Sequence, residues 1–257
     1  MSEVSETKKE NCQQQQESKS QDLKIARHAR IVFGLVIAAA FLDVVDFSII
    51  QVALPTIREQ FAISLPDSQW IIGSYGLTLA GFLLLSGRAG DIYGQKKLFV
   101  FGVALFTVAS LTGGLAPSLL SLVVSRAIQG VGAAISTVTS LAIFATIFPE
   151  GKERNKALGI LVAVLSAGFA AGSIMGGVLT AALGWRSVMF VNVPIGAATV
   201  LLSLKFLPKR EGRCMDKRLD LPGSLMVTTG TILFVYALTN ASNEGFATLG
   251  TLLPLAL

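Results

Sequence analysis

Apolar runs at roughly 31–55, 67–87, 97–116, 118–147, 157–182, 186–207 and 221–240 alternate with short polar links along the chain. Each run is near the twenty residues that a helix needs to cross the hydrocarbon core of a bilayer. An eighth begins near Phe246 and stops at Leu257, too short to span. Residues 1–29 are rich in Gln, Ser, Lys and Glu and hold few large apolar side chains. Such a stretch buries too little surface to offset its ordering entropy, so it reads as a disordered tail. A polar tail of that length ahead of any apolar run is not a signal peptide. The pattern predicts an all-α integral membrane protein in four parts. These are the tail at 1–29, a six-helix bundle at 30–207, a basic link at 208–220, and 221–257, which holds one full further helix and part of an eighth.

Charge sets the expected orientation. Of the 21 Lys and Arg residues, eighteen fall in the tail or in the links on the tail's side of the membrane. The links on the other side hold only Arg58 and Arg186, and Arg126 lies inside a run. The bias places the tail, and the links at 88–97, 148–156 and 208–220, in the cytosol. The chain is 52% apolar and only 14% charged, with a mean hydropathy of +0.66. Those values exclude an ordinary soluble domain. The net charge of +5 sits in the links between spans, where it argues for a membrane and against nucleic acid. Cys12 and Cys214 both fall on the cytosolic side and read as free thiols, and His28 is the only histidine. No metal site, cofactor or histidine-based catalytic centre is expected, and the chain does not read as an enzyme. Asn240 opens an Asn-Ala-Ser sequon on the outer side, so close to the membrane that it is expected to stay unmodified. Trp70, Tyr75 and Trp185 fall near the outer interface, where the two tryptophans are expected to anchor in an aromatic belt.

Two groups of residues carry the candidate chemistry. The first is the link Gly87–Lys97, GRAGDIYGQKK, which reads as a tight cytosolic hairpin. Its Gly87, Gly90 and Gly94 let the backbone turn and helices approach. Asp91 is expected at the start of the next helix, where the dipole favours a carboxylate. Lys96 and Lys97 hold the link in the cytosol. The second group is buried in the spans. Asp43 and Asp46 lie three apart on one face of the first, and Arg126 and Gln129 three apart on the fourth. Counted from the outer ends of the two runs, Asp46 and Arg126 lie about 13 and 12 Å deep, and Asp43 and Gln129 about 18 and 16 Å. A two-rung polar ladder is therefore expected, Asp46 facing Arg126 and Asp43 facing Gln129. A charge at such depth must be paired or face a watery cavity. Two readings satisfy that requirement: an ion pair that fixes helix register, and a transport path in which a carboxylate beside a movable arginine couples to protons.

The residues around these positions carry a family resemblance. The spacing Gly-x-x-x-Asp-x-x-Gly-x-Lys from Gly87 to Lys96 resembles the signature loop between the second and third helices of the major facilitator superfamily of secondary transporters. Arg126-Ala-Ile-Gln129-Gly130-Val-Gly132-Ala resembles that superfamily's fourth-helix motif, whose arginine is linked to proton coupling. The stretch VVDFSIIQVALP, ending at Pro55, is similar to the first-helix motif of its drug:proton antiporters, with Asp46 at the motif's aspartate. Val45, Ser48 and Gln51 depart from that pattern. In the fifth run Gly159, Gly168, Gly172, Gly176 and Gly177 follow a small-xxx-small rhythm that strips one helix face. The series resembles the antiporter motif associated with exporters, with Ser173 where that motif has proline. GWRSVMFVNVPIG from Gly184 and LDLPGSLMVTTG from Leu219 look like segments of the fourteen-helix, fungal-like branch. The resemblance implies proton-coupled efflux of small amphipathic compounds such as drugs, toxins or secondary metabolites from a plasma-membrane location. With the ladder it gives the candidate proton-coupling set Asp46, Arg126, Asp43 and Gln129, and it implies a second bundle or chain to complete the transporter. Import of sugars or other nutrients, and a truncated regulator or sensor that does not transport, are the alternative readings.

Overall fold

The computed structural model describes residues 2–207, with side chains from residue 29, and the positions 223, 226, 228–234 and 236–237. The helices are α1 (Ser2–Phe61), α2 (Leu65–Tyr93), α3 (Gln95–Gly114), α4 (Leu119–Ile147) and α5 (Lys152–Leu183). A sixth span is broken at Val191 into α6 (Arg186–Phe190) and α7 (Asn192–Phe206). Among the described residues six helices are long and apolar enough to cross a membrane, the first of them at Ala29–Phe61. The described positions beyond residue 222 are helical and belong to the expected seventh span. The basic link at 208–220, Cys214, Asn240 and the partial eighth helix lie outside the described residues.

Local chemistry explains most of the boundaries. Helix α1 starts at Ser2, so helix runs through the stretch that composition left unstructured. No proline or glycine precedes Gly34, and Gln, Glu and Lys are good helix formers. The same helix passes through Pro55 and ends at Phe61, six residues beyond the expected boundary. Neighbouring helices support a proline-containing turn inside a membrane bundle. Here Ile57 is fully buried, and Phe61 packs against Trp185 at 5.7 Å between ring centroids. Ser64 caps α2, accepting from the Asp67 amide at 3.2 Å, and Ser118 caps α4 in a reciprocal box with Ser121. The link between α2 and α3 is one residue, Gly94, at φ 93°, a conformation open to glycine.

That short link corrects the expected hairpin. Gly87, Gly90 and Asp91 all lie within α2, and Lys96 lies in the first turn of α3. Asp91 sits in the last turn of α2, at the negative end of the helix dipole rather than the positive end expected for it. Its carboxylate accepts from Gln95 Nε2 at 3.2 Å, across Gly94. A run that stops being apolar at Gly87 still continues as helix, because Ser, Arg and Asp tolerate a helical backbone and no proline intervenes.

Packing reveals the architecture. Helix α4 lies against α2 and α3, α5 against α1, and α7 against α3 and α1, while α1 and α4 cross each other. Exchanging α1 with α4, α2 with α5, and α3 with the α6–α7 span turns the α2–α4 contact into the α1–α5 contact. The same exchange leaves the α1–α4 crossing in place. This is the contact pattern of two inverted three-helix repeats. Three apolar clusters fill the bundle. One lies at the basic end around Phe99, Phe144 and Leu207, one at the opposite end around Ile57, Leu122 and Trp185, and a small one between them around Leu42 and Phe106.

The outer ends differ from expectation in one respect. Trp185 is fully buried, its Nε1 donating to Gln60 Oε1 at 2.5 Å, and Arg186 lies 4.6 Å from its ring centroid. It closes the end of the bundle instead of anchoring in a lipid-facing belt. Positive φ at Gly184, 80°, turns the chain sharply enough to fold that indole inward. Trp70 is half-buried and stacks on Tyr236 at 5.8 Å, so the seventh segment lies against α2.

Candidate proton-coupling site

The first helices of the two repeats meet at a charge pair. Arg126 Nη1 on α4 donates to Asp46 Oδ2 on α1 at 2.5 Å, with both side chains essentially inaccessible. The carboxylate's other oxygen accepts from Asn192 Nδ2 at 2.6 Å and from Gln129 Nε2 at 3.2 Å. Gln129 in turn accepts from Arg126 Nη1 at 2.9 Å and donates to Ser110 Oγ on α3 at 2.6 Å. Arg126 Nε reaches the Ile71 carbonyl on α2 at 3.3 Å, and its guanidinium lies 4.4 Å from the centroid of the Tyr75 ring. One ion pair thus engages α1, α2, α3, α4 and α7. Its remaining guanidinium nitrogen, Nη2, and Asn192 Oδ1 have no partner among the described residues.

The helices that carry this site are held at close range. Thr78 Oγ1 bonds the Ala127 carbonyl at 2.8 Å, and Ser74 Oγ bonds the Val123 carbonyl at 3.3 Å, tying α2 to α4. A Cβ at Gly130 would collide with Thr78 and with the Tyr75 carbonyl. On the other side a Cβ at Gly172 would meet Ser48 and, at 2.9 Å, the Val45 carbonyl. One at Gly176 would meet the Ile49 carbonyl at 3.0 Å, and one at Gly168 would meet Phe41 at 3.0 Å. Gly159 and Gly177 face open space. Three of the five glycines in the fifth-span series therefore form the α1–α5 contact, next to Asp46.

The upper rung of the expected ladder is present and the lower one is not. Asp43 is half-buried and accepts from Ser136 Oγ at 3.1 Å and Thr137 Oγ1 at 3.2 Å, two turns beyond Gln129 on α4. The depth reckoning ended α1 at Pro55, whereas the helix runs on to Phe61, about 9 Å further. Asp46 lies about 22 Å along α1 from that end, and Arg126 meets it beside Gln129. Asp43 then falls opposite a later turn of α4. No cation pairs with it among the described residues. Asn192, Ser110, Ser136 and Thr137 were not singled out in the sequence, and Tyr75 was placed at the interface. Their signal is a polar side chain interrupting an apolar run, which is weak because hydroxyls commonly bond back to their own helix. Lys96 sits far from this cluster. Its ammonium donates to the carbonyls of Leu204, at 2.9 Å, and of Leu207, at the end of α7. Among the described residues no group of His, Cys, Asp or Glu could hold a metal ion.

Residues 36–255 match the family model of the Major Facilitator Superfamily. The chain belongs to that superfamily. Its members are transporters and not enzymes, and this one is a multi-pass membrane protein with an N-terminal six-helix bundle. The sequence is 41% identical over 223 residues to the cephamycin export protein CmcT of Amycolatopsis lactamdurans, an alignment covering 86% of this chain and 46% of that protein. It is 33% identical over 219 residues to the major facilitator superfamily multidrug transporter mfsC of Aspergillus fumigatus, covering 85% and 42%. The fold resembles the human organic anion transporter MFSD10, with a TM-score of 0.60, 19% identity and 83% of this chain covered. The chain spans less than half the length of the curated relatives it matches here.

Proposed function

We propose that the chain is the first bundle of a proton-coupled exporter of small amphipathic compounds, and that Asp46 carries the exchanged proton. The observation that carries this reading is the Asp46–Arg126 pair, buried at the crossing of the two repeats and tied to every helix of the bundle except α5 and the short α6. Rocking of the bundle that separates α1 from α4 leaves Asp46 as an unpaired charge in the membrane, and proton uptake removes that cost. Return of Arg126 restores the pair and expels the proton. The direction of transport is supported by two relatives of the chain, one named as an export protein and one as a multidrug transporter. A second bundle, from the remainder of a longer product or from another chain, completes the path, with the tail cytosolic and the plasma membrane as the site of action. Asp91, Lys96 and the glycines around them form the hinge between α2 and α3 during rocking. Where the assembled transporter is reconstituted in vesicles, Asp46→Asn is expected to abolish efflux of ethidium driven by a pH gradient. Exchange of ethidium at equal pH should survive. Normal gradient-driven efflux with Asn at 46 would overturn the assignment, and Asp43 would be the next acid to test.

A further inference from the structure

A groove of about 600 Å³ runs between α1 and α7. It is lined by small residues, among them Gly34, Ala38 and Ala198, and by larger apolar ones, among them Ile195, Leu202 and Phe206. At Gly34 a Cβ would meet nothing within 4 Å, so no side chain of the described residues fills that position. The one hydroxyl in the lining, Thr199, is already bonded to the Ile195 carbonyl at 2.8 Å, so the surface offers no free polar group to a peptide or a sugar. From Pro194 to Phe206 the groove extends about 18 Å along α7, comparable to one leaflet of a hydrocarbon core about 30 Å thick.

Its basic end is different. Arg30, exposed, precedes the lining residue Ile31, and Lys205, also exposed, precedes Phe206. The Lys205 ammonium lies 5.3 Å from the centroid of the Phe206 ring, at the groove's mouth. Among the described residues neither cation makes an ion pair. The described part of the seventh segment lies elsewhere, with Tyr236 on Trp70 and Ile232 against Gly81 of α2.

We propose that this groove is a binding site for one anionic phospholipid, its acyl chain along Gly34, Ala38 and Ala198 and its phosphate between Arg30 and Lys205. An alkyl chain satisfies an apolar, leaflet-long channel, and a phosphate satisfies two unpaired cations at one end. The test uses the full chain purified in micelles and mixed with equal amounts of dioleoyl phosphatidylglycerol and dioleoyl phosphatidylcholine. Native mass spectrometry counts the lipid retained. The wild-type chain should hold one phosphatidylglycerol in preference. Arg30→Gln and Lys205→Gln, both on exposed side chains, should each lower that preference roughly fivefold. Ala38→Phe should displace both lipids by filling the channel without touching its charge. Equal retention of the two lipids by the wild type, or phosphatidylglycerol binding indifferent to Ala38→Phe, would overturn the proposal. A wild-type chain that retains neither lipid, as expected if a protein segment fills the groove, would overturn it too.

Discussion

Asp46 accepts from Arg126, Gln129 and Asn192, and each bond offsets part of the cost of holding a carboxylate away from water. Such an arrangement is asymmetric in its response to mutation. Replacing a buried pair together can be neutral, whereas removing one partner leaves the other uncompensated. Arg126→Ala is therefore expected to destabilise the folded bundle by about 3–5 kcal/mol. Denaturant titration of the purified chain would read this as a lower midpoint. The double change Arg126→Met with Asp46→Leu should recover most of the loss, and a double variant as unstable as Arg126→Ala would deny that the pair is the source. At this scale the sequence was legible where the charge itself was the signal: two acids and an arginine inside apolar runs are hard to miss. Asn192 and Ser110 were not, because one amide or hydroxyl in a span satisfies itself locally as often as it reaches another helix. The lower rung failed for a geometric reason, since the end of α1 lay beyond Pro55 and every depth counted from that proline was too shallow.

Small residues decide how the elements meet. At Gly172 the backbone of α5 lies against Val45 and Ser48 of α1, one turn or less from Asp46, and any side chain there forces the helices apart. Gly172→Leu is expected to cost at least about 1–3 kcal/mol through overpacking and to reduce assembly in the membrane. Val178, 63% exposed on the same helix, should accept leucine with little effect. Comparable yields and thermal midpoints for the two variants would reduce the glycine contact to coincidence. The glycine rhythm was readable in the sequence as a packing face. Which of the five glycines touch a partner was not: Gly168, Gly172 and Gly176 follow the four-residue spacing along the α1 face, whereas Gly159 and Gly177 stand on another side of the helix and meet nothing. Asp91 shows the complementary difficulty. Polar residues marked the end of the apolar run, but helix ends follow backbone chemistry, and only Gly94 adopts a conformation that stops α2.

For the whole molecule, the exchange symmetry of the contacts places the charge pair at the crossing of α1 and α4, which with the α3–α7 contact is one of the contacts the exchange leaves in place. A proton carrier there responds to motion of both repeats at once. The basic asymmetry, with Arg30, Lys96, Lys97, Lys152 and Lys205 at one end of the bundle, predicts that this end faces the cytosol. With Cys12 and Cys214 replaced by serine, a cysteine at exposed Pro117 should react with an impermeant thiol reagent applied outside cells, and one at exposed Glu150 should not. The reverse labelling would invert the topology. The six-span architecture was legible because twenty-residue apolar runs have few other uses; the inverted repeats were not, because the symmetry resides in contacts and leaves little trace in residue identity.

The most direct test of the proposed coupling role measures protons and not transport. In the rocked state, where Asp46 is parted from Arg126 and protonated, ethidium added to the purified, assembled transporter in weakly buffered solution should displace that proton as Arg126 returns. A pH-sensitive dye should then record the release of about one proton per ethidium bound. Asp46→Asn should bind ethidium without releasing a proton, and Asp43→Asn should release it as the wild type does. Undiminished proton release from Asp46→Asn would contradict the account.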